Sequence, residues 1–507
     1  MKAAEQKTAL SSLVPPLSVN VPAAAVWAVA ALLFVLSLLV ADARRMSSLN
    51  SFLFALSTSG ACLVGLLTAR HFVSQLPYAL LSAPVVLPLF WVAYVCLLPL
   101  AYLYRGSSYS ALLEPYYVET QFYVCLATAA MCLGLALAVR KLRERPLPVL
   151  LEARRRTCIA LWTAAVLLST MVVVEVVSAG AFDRGTRLET PMGKLVWIAS
   201  QLSPLAAYVV LALPAFLFRG DRTERLFYCL YRIAAALLIA LVVLRLQLRL
   251  IVVVAYLFLV VRCAYRGKVT VAPWLAAAAA FLLLLPILPI VRVSGVAQGG
   301  SGLRSAWNLV MFGATTGVRA AYGGADVEHT DEWERAGDTF SFTASTLRSI
   351  GRRQPHFHGE LLMADLRFLV PYMLYPEKYD RPLLQPEILI NMRARGEAND
   401  TGFGPVLYLW AEAGPLLVVA GMFLFGLAYG WIYRFGVSHL DKGWPLVFYS
   451  LFLLSMMNLE EDWIMNLLQP ARMCAVWALL WFLASLAAPV WGNRRAPVEK
   501  RLSNAVG

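Results

Sequence analysis

Charge is scarce in this chain. Only 15% of its 507 residues are Asp, Glu, Lys or Arg, against about 25% in an ordinary soluble domain. The shortfall is made up by apolar residues, 60% of the total, and mean hydropathy is +0.67. The alternating ten-residue segments of a membrane β-barrel are missing. So is any internal repeat, which argues against the inverted-repeat transporters. The eight cysteines (Cys62, Cys96, Cys125, Cys132, Cys158, Cys229, Cys263 and Cys474) all lie in or beside apolar runs, and none falls in the longest polar stretch. That placement excludes a disulfide framework or a Cys-based zinc site as the organising feature. It reads as small packing residues. No polar domain follows the first apolar run, so a cleavable leader is not expected.

What the chain does have is apolar runs long enough to cross a hydrocarbon core, which takes about 20 helical residues. In lipid every backbone polar group must be paired within its own segment, so these runs are expected to be helices. Candidate spans fall near 21–40, 51–68, 82–103, 118–139, 157–178, 195–218, 226–244, 247–262, 271–291, 411–433, 444–458 and 470–491. The expected fold class is an all-α polytopic membrane protein of about 12 transmembrane helices. Three regions follow: a transmembrane bundle over 1–291, a large loop over 292–410, and a C-terminal helical part with a basic tail over 411–507.

The net charge of +14 does not indicate nucleic acid. The basic residues form short clusters between spans, as the positive-inside rule predicts. The strongest cluster, Arg140, Lys141, Arg143, Arg145, Arg154, Arg155 and Arg156, is placed in the cytoplasm. Both termini then lie there too, and 292–410 lies outside. Arg44 and Arg45 disagree, because the same count turns them outward.

The 292–410 stretch is rich in aromatics, including Trp307, Trp333, Phe340, Phe342, Phe357 and Phe368, which is unlike a solvating tail. Segments 339–350 and 359–369 are expected to be short helices on the membrane surface. The stretch mixes Arg304, Arg319, Arg335, Arg348, Arg352, Arg353, Arg367, Lys378, Arg381, Arg393 and Arg395 with Asp338, Glu360, Asp365, Asp380, Glu397 and Asp400. It also carries His329, His356 and His358. Arginine forks match phosphate bidentately and keep their charge, while carboxylates and imidazoles move protons. This mixture suits an anionic lipid-linked substrate; a solvated loop laced with ion pairs is the plainer reading. Arg249, Arg292 and Glu175 lie in or at the ends of apolar runs, where ionisable groups are costly and mark function unless they snorkel to the interface. The triplet Asp400-Thr401-Gly402 lacks the second copy that aspartic-protease chemistry needs. His356 and His358 lack a third metal ligand at useful spacing.

Ordered patterns in the loop resemble the oligosaccharide repeat-unit polymerases, the Wzy-type O-antigen and exopolysaccharide polymerases of bacteria. They are Arg335…Asp338-Thr339-Phe340-Ser341-Phe342-Thr343, then Pro355…Gly359-Glu360, then Phe368-Leu369-Val370-Pro371…Tyr375-Pro376-Glu377-Lys378. Asp400-Thr401-Gly402-Phe403 and Trp410-Ala411-Glu412-Ala413-Gly414-Pro415 follow, with Gly421. Leu-Arg249-Leu before a short span is similar to a further family position. Tyr379 stands where the family usually has Pro. The resemblance implies a metal-independent glycosyltransferase of the GT-C type, without cofactor. It would move a growing glycan from undecaprenyl pyrophosphate onto the end sugar of a fresh lipid-linked repeat unit. Arg249, Arg292 and Arg335 would hold the pyrophosphate, with Arg319 and Arg367 in reserve. Asp338, Asp400, His358 and Glu360 are the candidates for the base. Glu412 and Lys378 take structural or orienting roles. A chain-length regulator and a flippase are the implied partners, and the bacterial inner membrane the implied location. An O-antigen ligase, a transporter of lipid-linked oligosaccharide and a scaffold of a secretion machine are the competing readings.

Overall fold

The structure is a computed structural model that describes residues 21–75, 82–97, 111–140, 332–370, 386–396 and 404–438. It adds single positions and short pieces at 99–103, 170, 311 and 315, and between 449 and 482. The described part is mostly helical and contains no strand. Its helices are α1 (Ala23–Ala43), α2 (Ser48–Gln75), α3 (Ala83–Val92), α4 (Glu114–Arg140), α5 (Glu332–Ser349), α6 (Glu360–Leu369), α7 (Pro386–Arg395), α8 (Gly404–Ala413) and α9 (Pro415–Ser438).

Four of these, α1, α2, α4 and α9, are long and apolar enough to cross a membrane. They match the spans expected at 21–40, 51–68, 118–139 and 411–433. The last begins later than expected. Gly414 takes a left-handed φ of 80°, its N–H returns to the Trp410 carbonyl, and Pro415 restarts the chain as α9. A left-handed glycine ends a helix, and proline is favoured in the first turn of the next. Residues 411–413 therefore belong to α8. Within the expected span at 82–103, α3 carries Pro88 inside it and passes directly into a π-helical turn at Ala93–Leu97. The remaining expected spans, from 157 to 291 and beyond 444, lie outside the continuously described residues.

The outer surface of α1 is apolar, with Trp27 57%, Leu32 59% and Leu39 61% exposed. Water would penalise such a face by about 25 cal/mol per Å², whereas hydrocarbon does not. Polar side chains inside the spans turn back on their own helix: the hydroxyls of Ser37, Thr58, Thr120 and Thr128 donate to carbonyls one turn earlier. Trp91 Nε1 donates to Thr128 Oγ1 at 2.7 Å. Gln121 Nε2 donates to the Val95 carbonyl, inside the π-helical turn, at 3.1 Å. Cys62, Cys96 and Cys132 are buried in this core, as packing residues.

Among the described helices, the tightest crossing joins α4 and α9. A Cβ added at Gly134 would fall 2.2 Å from the Phe423 carbonyl oxygen. One at Gly426 would fall 2.0 Å from the Met131 oxygen, and one at Gly430 2.5 Å from Ala138 Cβ. Backbones that close give dispersion contact along the whole seam. The matched order along both chains makes α4 and α9 parallel. Their N-terminal ends, at Glu114 and Pro415, share one end of the bundle. Ser47 N–H and Asn50 Nδ2 both donate to Glu114 Oε1, so the α1–α2 turn with Arg44 and Arg45 sits there too, at the end opposite Arg140. Arg44 is held by a hydrogen bond from Nε to the Leu103 carbonyl. The exception found in the charge pattern is thus a real feature of the packing: an arginine at this end is satisfied by a local carbonyl.

Candidate functional site

Three pieces of the long polar stretch, α5 to α6, α7, and α8, fold together on the Glu114 end of α4. The buried side of α5 presents Phe340, Phe342, Ala344 and Leu347. Phe340 stacks on Tyr117 of α4, centroids 5.4 Å apart and planes 16° apart. The hydroxyls of Ser341 and Tyr117 lie 3.4 Å apart. Both expected helices exist, and the first extends back to Glu332.

After α5 the chain turns sharply. Gly351 has a φ of 85°, and the Ser349 carbonyl accepts N–H bonds from Arg353 and Gln354. Arg352 reaches back to α4, pairing with Glu119 at 2.7 Å and lying 5.0 Å over the Tyr116 ring. His356 lodges against two glycines: a Cβ at Gly351 would come 2.7 Å from its Nε2, and one at Gly414 3.3 Å. Its Nδ1 is buried without a hydrogen-bond partner among the described residues. Trp410 and His358 each present a ring to it, at 6.1 and 6.0 Å.

Phe357 and His358 then bond to the end of α8, their N–H groups donating to the Ala411 and Glu412 carbonyls at 3.0 and 2.8 Å. His358 is left-handed (φ 49°), as is Gly359 (φ 103°), which aims the chain into α6. The Glu412 carboxylate meets the start of that helix. Leu361 N–H donates to Oε2 at 3.3 Å and Leu362 N–H to Oε1 at 3.5 Å. A helix N-terminus has unpaired N–H groups and a positive dipole end, both suited to a carboxylate. Glu412 is nonetheless only 6% exposed. Burial pushes its pKa up, the backbone N–H groups of Leu362, Leu361 and Gly359 pull it down, and the Glu360 charge adds to the rise.

Arg393, from α7, ties the turn shut. It pairs with Glu360 at 2.7 Å, lies 3.6 Å from the centroid of the Phe357 ring, and donates to the His356 carbonyl at 3.3 Å. Arg395 behaves differently. Its Nε and Nη2 donate to Ser345 Oγ at 3.1 and 3.0 Å, and its guanidinium lies 4.9 Å from the Phe342 centroid. Where α5 and α8 meet the spans there is a cavity of about 50 Å³, lined by Trp91, Tyr94, Thr120, Phe340, Thr343 and Gly404 among others.

Among the expected site residues, His358, Glu360 and Glu412 come together. Glu360 is exposed and already engaged by Arg393. Arg367 is exposed at the last turn of α6. Arg335 and Asp338 lie on the N-terminal half of α5. Arg249, Arg292, Arg319, Lys378, Asp400 and Glu175 lie outside the described residues. Sequence reasoning named Arg352, Arg393, Arg395 and the buried Asp365 only as members of the charged stretch, with no specific role, and did not name Glu119. The only local signal was two arginines in the last turn of a helix, ahead of Gly396. Among the described residues no three His, Cys, Asp or Glu side chains converge as a metal site.

The chain matches no family model, no curated protein and no solved structure.

Proposed function

We propose that this chain is a multi-pass bacterial inner-membrane glycosyltransferase of the repeat-unit polymerase kind, with about 12 spans and its long polar stretch on the periplasmic face. Its substrate is an oligosaccharide on undecaprenyl pyrophosphate. The growing glycan is transferred as a block to a hydroxyl of the acceptor sugar, and the lipid pyrophosphate leaves. One observation carries the reading. Segments of the polar stretch far apart in sequence are folded onto the end of the apolar helices, bringing arginines, carboxylates and histidines to the border of the bundle.

The chemistry needs a base within hydrogen-bond reach of the acceptor hydroxyl and fixed positive charge at the departing pyrophosphate. Arg335, with Arg249 and Arg292, is assigned to the pyrophosphate, and Asp338 to the base ahead of Asp400, His358 and Glu360. Glu412 and Arg393 hold the turn that carries His358.

The test is the size distribution of lipid-linked glycan in a deletion strain. Single repeat units should accumulate, and the intact gene, but not Arg335→Ala, should restore long polymer. Finished polymer stranded on lipid carrier would make the protein a ligase. Normal polymer would overturn the glycosyltransferase reading. Full polymerisation by Asp338→Ala would remove Asp338 as the base.

A further inference from the structure

Among the described residues of the polar stretch, three arginines have their guanidinium groups held in place, and their partners differ in charge. Arg352 is neutralised by Glu119 and Arg393 by Glu360. Among the described residues Arg395 is held by neutral groups: the Ser345 hydroxyl and the face of Phe342. No carboxylate pairs with it among the described residues. The Ser345 hydroxyl donates its own proton to the Phe342 carbonyl at 2.9 Å, so its oxygen is oriented to accept both Arg395 bonds. Those bonds use the Nε–Nη2 edge of the fork and leave the Nη1 side for another acceptor. The rotamer entropy of a long side chain, normally lost when an anion binds, is already spent here.

Arg348 lies one helical turn beyond Ser345 on α5, where residues three apart are neighbours. It is half-buried and has no partner among the described residues. The place also matters. One turn before Ser345, Ser341 touches Tyr117, and just after Arg348, Arg352 pairs with Glu119. Both partners lie in the first two turns of α4, where the span begins. Asp338, about two turns before Ser345 on the same helix, follows the spacing of one helix face.

We propose that Arg395, with Arg348, seats a phosphate ester carried by a lipid at the membrane boundary. This rests on the reading of the polar stretch as the receiver of an anionic lipid-linked substrate, and goes beyond it by adding Arg395 and Arg348 to the arginines already assigned to the phosphate groups.

The test uses the full-length protein in phosphatidylcholine nanodiscs, titrated with inorganic pyrophosphate and with geranyl pyrophosphate. Arg395→Gln should weaken both by about tenfold or more, the scale of a lost charge-assisted hydrogen bond. Arg395→Lys should weaken them less, since charge stays and the fork is lost. Ser345→Ala should also weaken binding, because the guanidinium is then released from its support; it carries the test if Arg395→Gln does not fold. Arg353→Gln, an exposed neighbour without a partner among the described residues, should bind as the parent does. Unchanged binding by Arg395→Gln, or an equal loss in Arg353→Gln, overturns the seat. Equal affinity for the two probes overturns a lipid-borne ligand. Lost binding in Arg395→Gln alongside normal polymer in the deletion strain supports the seat and overturns the glycan reading. Intact binding alongside lost polymer does the reverse.

Discussion

The guanidinium of Arg393 and the carboxylate of Glu360 meet at 2.7 Å, and the same guanidinium covers Phe357. One side chain therefore spans the turn from both sides. The pair is partly exposed, so solvent limits its ion-pair share to about 0–1 kcal/mol, and the cation–π contact adds about 0.5–1 kcal/mol. Arg393→Ala should loosen the turn by about 0.5–2 kcal/mol in all. Hydrogen exchange of residues 357–363 should speed up roughly tenfold, while exchange in α4 stays unchanged. Equal acceleration in α4 would mean the effect is global.

Glu412 predicts a dependence on pH. Its folded pKa is raised, with burial the main cause. The folded state therefore holds a proton that the unfolded chain has released. Between the ordinary carboxylate value and the raised one, the folded state binds more protons, so stability falls as pH rises through that interval. Glu412→Gln should flatten this slope in thermal unfolding followed from acid to neutral pH. Glu412→Ala should cost about 1–3 kcal/mol at any pH, because it strands the N–H groups of Leu361 and Leu362. Identical pH profiles for parent and Glu412→Gln would show that the carboxylate does not titrate there.

The α4–α9 seam should reject a single methyl. Gly134→Ala and Gly426→Ala both drive a Cβ into a carbonyl of the other helix. Each should cost about 1–3 kcal/mol or more by overpacking, lowering folded yield in detergent. Gly60→Ala is the contrast, since its Cβ would meet only Cys125 Sγ at 3.2 Å. Gly60→Ala should be close to neutral in the same measurement, and equal sensitivity at all three sites would argue against the seam.

His358 separates conformation from chemistry. Its φ of 49° suits Asn, which tolerates the left-handed region. It resists Val, at a cost of about 1–2 kcal/mol. His358→Asn should melt like the parent and His358→Val lower. If His358→Asn also polymerises normally, the imidazole is not the base, and Asp338 stands ahead of it.

The helices α1, α2 and α4 were legible in the sequence because a long apolar run has one stable form in lipid. So was the helix at 359–369, since the turn at Gly359 and the amphipathic pattern are local. The late start of α9 was less legible. Gly414-Pro415 is a helix break written in the sequence, but the apolar run continues through it. Asp338 and Arg335 were singled out by position on a motif, and the backbone places both on α5.

Composition and periodicity by themselves determined that this chain has helices built for hydrocarbon and a polar stretch dense in arginine. Those properties depend on neighbours within a few turns. Which arginines are neutralised, and which is held by neutral groups, was decided only by tertiary structure. Glu119 and Arg352, Glu360 and Arg393, and Ser345 and Arg395 are each brought together from distant parts of the chain. The field at a guanidinium depends on what stands within a few ångströms of it, and that distance is set by packing rather than by order along the chain.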